Sequence, residues 1–167
     1  MSASALLLSL FKYKAWADEA LFAEVAKIDG EAHASERHLA IRLLNHIHVV
    51  DRIFAAHLQA QPHGYTATNT VETPTLPDLL SEVGQTNVWF IDWLTSAAET
   101  ELDQPVRFAF TDASPATMTR AEMLSHLITH GTYHRGAIGR ILSQVGLTAP
   151  RDVFTGFLHE SEPQRRG

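Results

Sequence analysis

The sequence predicts an all-α fold: a four-helix bundle with a short β-strand or hairpin segment before its last long helix. Three observations predict it. Four long stretches place apolar residues at helical intervals, Gly, Pro or capping residues bound those stretches, and the one alternating stretch lies just ahead of the fourth. At 167 residues the chain is long enough for one full core. It reads as a single domain over residues 1–167, with a loose tail from about residue 161.

The first helix runs from Ala3 to about Lys27, with Leu7, Leu10, Phe11, Lys14, Leu21, Phe22 and Val25 in rhythm, and Gly30 is available for a left-handed cap. The second starts near Ser35, a plausible N-cap, and stops at about Ala60, ahead of Pro62-His63-Gly64. Tyr65 to Pro74 is rich in Thr and Asn without periodicity and reads as a loop. The third helix is entered at Leu76-Pro77-Asp78, with Pro77 in its first turn, and continues to about Leu102. Val106, Phe108 and Phe110 then alternate with Arg107 and Ala109, which is strand spacing, and Ala116-Thr117-Met118 can complete a hairpin. Thr119 followed by Glu122 is a capping box opening the fourth helix, which Gly146 closes. Asp152 to Glu160 adds one or two turns. The connections are longer than an up-down-up-down bundle needs, so a crossover is allowed.

Composition excludes several function classes. The net charge is −6 and no basic run exceeds Arg165-Arg166, which argues against a nucleic-acid partner. There is no cysteine, so disulfides, thiolate ligands and cysteine nucleophiles are all absent, leaving imidazole and carboxylate as metal-binding chemistry. The amino-terminal apolar run ends at Phe11 without a basic lead. No signal peptide or membrane span is expected, and a cytoplasmic setting is the default.

The fourth helix carries His126, His130 and His134 at four-residue intervals. Four residues advance a helix by roughly 400°, so neighbours in this series share a face one turn apart, and two such imidazoles can bind one ion. Met123, Leu127, Ile138, Ile141 and Val145 fall within roughly 80° of His130, which places the histidines in the stripe expected to face the core. A further ligand must come from another element. On the second helix His46 shares the apolar face with Leu39, Leu43, Val50 and Ile53. His57 lies on that face three turns away, too far to join His46 at one ion. His48, about 200° from His46, is expected to face solvent. His33, His38, His63 and His159 read as ordinary surface or hydrogen-bonded histidines.

The run His130-Gly131-Thr132-Tyr133-His134-Arg135-Gly136 resembles the HGTYHRGQ-type signature of the DinB/YfiT-like family. Tyr13 to Asp18 is similar to that family's YNxWAN segment, and Asn45 to Phe54 to its HILxADRIW segment. Thr119 to Gly146 and Asp152 agree in order, so the resemblance covers most of the chain. Lys14 and Asp18 depart from the usual Asn, and Ala137 from the usual Gln. The resemblance implies a divalent metal, zinc or nickel, held by His46, His130 and His134, with His126 beside the site, and a homodimer. Tyr133 and Arg135 are expected to pack or pair elsewhere, Asp51 to form a helix-to-helix salt bridge, and Asp152 stays open as a site neighbour. Relatives imply a transferase or isomerase acting on a small-molecule substrate with a low-molecular-weight thiol. The alternatives are a non-catalytic metal-binding stress protein and a metal-dependent hydrolase. The catalytic residues are not assigned.

Overall fold

The computed structural model describes residues 2–166. Its long helices are α1 (Ala3–Val25), α2 (Ala34–Leu58), α3 (Leu76–Ser96) and α5 (Arg120–Gln144), with a short α4 (Glu99–Leu102) after α3. Strands β1 (Pro105–Ala109) and β2 (Pro115–Thr119) pair antiparallel ahead of α5. Helices α6 (Phe154–Ser161) and α7 (Pro163–Arg166) follow it, so the segment expected as a loose tail carries a turn of helix.

Three of the long helices start as local chemistry dictates; α2 instead opens after His33 with no side-chain cap, and Ser35, expected as its N-cap, lies in the first turn and donates to Glu36. Ser2 caps α1 by accepting from the Ala5 amide, and Thr75 caps α3 through the Asp78 amide. The capping box is present: Thr119 Oγ1 accepts from the Glu122 amide, and Glu122 accepts from the Thr119 amide at 2.7 Å. Gly146 closes α5 with φ of +77°, where a side chain would be strained. Two expected ends move. Gly30 does not take a left-handed φ, because the chain turns beforehand through Val25–Ile28 and Asp29 caps the following turn by accepting from the Glu31 and Ala32 amides. Helix α3 stops at Ser96 rather than near Leu102. There Thr95 and Ser96 hydroxyls donate to carbonyls of the preceding turn, a competitor to helix continuation. The break turns Leu102 into the core and brings Glu99 to the start of α1, where it accepts from the Ala3 amide and the Ser4 hydroxyl.

Helix α1 packs on α3 and α5, while α2 packs on α5 and α3, so α1 and α2 lie on a diagonal of the bundle. Consecutive helices at a diagonal mean that the first connection crosses the bundle rather than joining neighbours. Between two flanking helices, α2 from Ala40 onward is buried on more than one face, while Leu39, expected on the buried stripe, and Arg52 are exposed. This corrects the solvent-facing expectation for His48, which is buried with only Nε2 near an exposed group, the Glu82 carboxylate at 3.3 Å.

The core divides in two. One half gathers Leu7, Phe11, Val50, Phe90, Leu94 and Leu127, and the other Leu21, Val25, Leu44, Leu79, Val83 and Ile138. Between them runs a polar layer, with Lys14 and Asp18 from α1, Asp51 from α2, Asn87 from α3 and Arg135 from α5, all buried. Lys14 Nζ, with three hydrogens to donate, meets Asp18 at 2.9 Å, Asp51 at 2.7 Å and Asn87 Oδ1 at 3.0 Å. Arg135 donates to Asp152 at 2.8 Å, Asp18 at 3.3 Å and Thr132 at 3.2 Å. Gly131 admits this layer: a Cβ there would sit 3.2 Å from Arg135 Nη1.

Candidate metal centre

Helices α2 and α5 pack directly on each other and bring His46, His130 and His134 together. One ring nitrogen from each lies within 4.8 Å of the others, and all three residues are half-buried. His46 Nε2 and His130 Nε2 are 3.0 Å apart. Two nitrogens held at about 2.0–2.1 Å from one ion stand roughly 2.9 Å apart at a right angle and 3.3 Å apart at the tetrahedral angle. The spacing of that pair suits a shared ion, with the His134 nitrogen within 4.8 Å of both.

Protonation also suits one. Thr68 O lies 2.6 Å from His46 Nδ1. A carbonyl only accepts, so Nδ1 carries a hydrogen and Nε2 is the nitrogen turned toward the cluster. That carbonyl is held in place by a clamp on the loop after α2. Asn45 donates to Thr70 Oγ1 at 2.6 Å, Asn69 donates to Arg42 O at 3.0 Å, and Arg42 donates to Thr70 O at 2.7 Å. Burial, then the neighbouring rings of His134 and His46, push His130 down to about 3, and burial followed by His46 lowers His134 as well. Both rings are therefore neutral near pH 7, the form that binds a metal. His130 Nδ1 is buried with no hydrogen-bond partner among the described residues.

The three histidines of α5 are not a core stripe. Met123, Leu127 and Ile138 are fully buried, whereas His130 and His134 sit at the edge of the buried face and His126 is exposed. His126 stays outside the trio, its ring 5.1 Å from Phe54 and 5.4 Å from His130, and it lines the mouth of the site. Asp152 does not approach the trio: it takes the Arg135 guanidinium and the Tyr13 hydroxyl in the polar layer. Asp51 makes its expected helix-to-helix salt bridge, to Lys14. Tyr133 is exposed, with its ring edge-on to His134. Arg135, expected at a packing or surface position, is buried and ion-paired. Sequence reasoning missed Thr68, whose contribution is a backbone atom, and the Asn45–Asn69–Thr70 clamp, whose only signal was a polar loop without periodicity.

A cleft of about 200 Å³ opens on His46 and His130. Val50, Ile53 and Phe54 of α2 form its floor, Phe108 and Phe110 of the hairpin its roof, and His57 its far wall. No Lys, Arg, Asp or Glu lines it among the described residues. His57 does not join the trio, as its distance along α2 dictates. It packs instead against Phe108 at 4.6 Å and His63 at 5.0 Å, and burial keeps its pKa low.

No helix among the described residues is long and apolar enough to cross a membrane. No solved structure gives a significant match to the chain. Its sequence is 24% identical over 159 residues to Protein DinB of Bacillus subtilis (strain 168), covering 86% of this chain and 88% of that protein. The family model described as DinB family matches residues 1–166. The chain belongs to the DinB family.

Proposed function

We propose that this protein is a divalent-metal-dependent enzyme of the transferase or isomerase type, using a low-molecular-weight thiol as cosubstrate. The observation that carries the reading is a cluster of three half-buried histidines, two of which, His46 and His130, open on an apolar cleft rather than being sealed inside protein. His46, His130 and His134 would hold the ion, zinc or nickel, and three ligands leave coordination positions open as catalytic sites do. When bound, such an ion supplies Lewis acidity that lowers the pKa of a thiol near neutral pH.

The chain's own residues define the rest. The Thr68 carbonyl fixes the tautomer and ring direction of His46, an orienting contact on which metal affinity depends. Phe54, Phe108 and Phe110 line the space beside the trio with apolar surface, which would strengthen electrostatic interactions there once a substrate fills it. With no cysteine in the chain, a sulfur nucleophile comes from the cosubstrate. Hydrolysis is less favoured: no carboxylate lines the cleft among the described residues to take a proton from water. A non-catalytic metal-binding role is also less favoured, because an ion used for storage or stability needs no adjoining cleft. The reading includes a cytoplasmic setting, where thiols stay reduced, and a homodimer, for which exposed Leu39, Val88 and Tyr133 offer apolar surface.

The test is a conjugation screen of zinc- and nickel-loaded protein with glutathione-, mycothiol- and bacillithiol-type thiols and a panel of electrophiles. Thiol-dependent turnover that disappears in His130→Ala supports the proposal. Turnover with water alone, or none with any thiol, contradicts it.

A further inference from the structure

The chamber beside the trio has a composition that sorts molecules. Its walls are hydrocarbon and aromatic ring: Phe54 and Phe108 meet edge-to-face at 5.8 Å, and Phe108 and Phe110 at 5.2 Å. Beyond the histidines only Thr68 and Thr111 bring polar side chains to it, and no formal charge lies on its surface among the described residues. An apolar cavity of about 150 Å³ takes a benzene ring, so a chamber of about 200 Å³ has room for one ring with a small substituent. A cationic group brought inside loses its water and meets no carboxylate among the described residues. The adjoining depression, about 610 Å³ and shallower, shares His57, Phe108, Phe110 and Thr111 and carries Arg107. A cationic substituent therefore has its room outside the chamber.

We propose that the second substrate of this enzyme is a small, single-ring or similarly sized apolar molecule without a cationic group, seated between Phe54 of α2 and the hairpin rings Phe108 and Phe110. This rests on the trio being the reacting centre, and it names what is presented to that centre. The hairpin is then the specificity element, since it supplies the roof, and a change at Phe108 or Phe110 alters what is accepted without touching the histidines.

The test is ¹⁹F NMR line broadening of 4-fluorotoluene and 4-fluorobenzylammonium by the protein as purified, with its metal content measured on the same sample. The neutral probe should bind saturably, and the cation, of nearly the same shape, at least about tenfold more weakly because it must shed its hydration. Phe108→Ala and Phe110→Ala should each weaken the neutral probe by about fivefold through lost ring contacts. Thr111→Glu, at the rim and outside the core, should weaken it comparably without burdening folding, which circular dichroism checks. Arg107→Ala should leave it unchanged. Equal binding of the two probes, or neutral binding that survives all three rim and roof substitutions, overturns the proposal. Selective binding by protein that carries no metal would support the chamber's selectivity while removing the metal reading, so the two fail separately.

Discussion

Helices α2 and α5 each contribute to two polar clusters, and the clusters are opposites. His46 and Asp51 are five residues apart on α2, and His134 and Arg135 are adjacent on α5, yet the first of each pair faces the open trio and the second the sealed layer. In the layer every Lys14 hydrogen has an acceptor and Asp18 is met by Lys14, Arg135 and Asn87. Burial alone would lower Lys14, but Asp18 and Asp51 outweigh it and hold its pKa above the usual value. Burial would likewise raise Asp18, and Lys14 and Arg135 hold it low instead. In the trio the residues are half-buried, the pKa values of His130 and His134 are lowered, and His130 Nδ1 has no partner among the described residues. One cluster is closed within the chain, apart from Asp51 Oδ1, which has no hydrogen-bond partner among the described residues, and serves the fold. The other is left unsatisfied by the chain, which is the condition for binding something else.

That contrast breaks most readily at Lys14. Lys14→Met strands Asp18 and Asp51 in the interior and should lower the unfolding free energy by about 3–5 kcal/mol in urea titrations. A small effect would mean the layer is hydrated in solution. The corresponding loss at the trio should depend on the ion. With free zinc at a hundred times its dissociation constant, stability should rise by about 2.7 kcal/mol in wild type, and His134→Ala should abolish the rise, read from thermal melts with and without chelator.

A third measurement separates the clusters by pH. Burial, partly offset by Lys14, raises Asp51 to about 6. The folded state then holds that proton more tightly than the unfolded chain, so Asp51's contribution is full below the unfolded carboxylate value and is lost as pH rises through the folded one. Between pH 4 and 6 wild type should lose about 2–3 kcal/mol relative to Asp51→Asn, while the histidine titrations common to both cancel in the difference. A pH-independent difference would place an ionised Asp51 in the layer throughout. The smallest effect belongs to the helix the clusters share. Thr119→Ala removes half of the capping box and should cost about 1 kcal/mol, with metal content unchanged.

What was legible in the sequence follows its range of action. The α5 histidines repeat at the period of a helix, the capping box spans three residues, and the hairpin shows in the alternation of Val106 and Phe108, so short-range pattern was enough. His46 needed only the face of one further helix. His48 was misread because a single apolar stripe was assumed, whereas α2 lies between α5 and α3 and buries the opposite side too. The polar layer escaped because its partners are distant along the chain: Lys14 meets Asp51 and Asn87, and Asp18 meets Arg135. On a helical wheel Lys14 and Asp18 are merely one turn apart, and their departure from the family pattern gave no hint that they close one buried network. The Thr68 carbonyl had no sequence signature at all.

The central claim is that His46, His130 and His134 form one open metal centre. Elemental analysis of the purified protein tests it most directly, beside the single variants His46→Ala, His130→Ala and His134→Ala and the control His126→Ala. The account predicts about one divalent ion per chain in wild type and His126→Ala, and strong loss in each of the other three. Metal content unchanged by removal of His130 or His134 would contradict it.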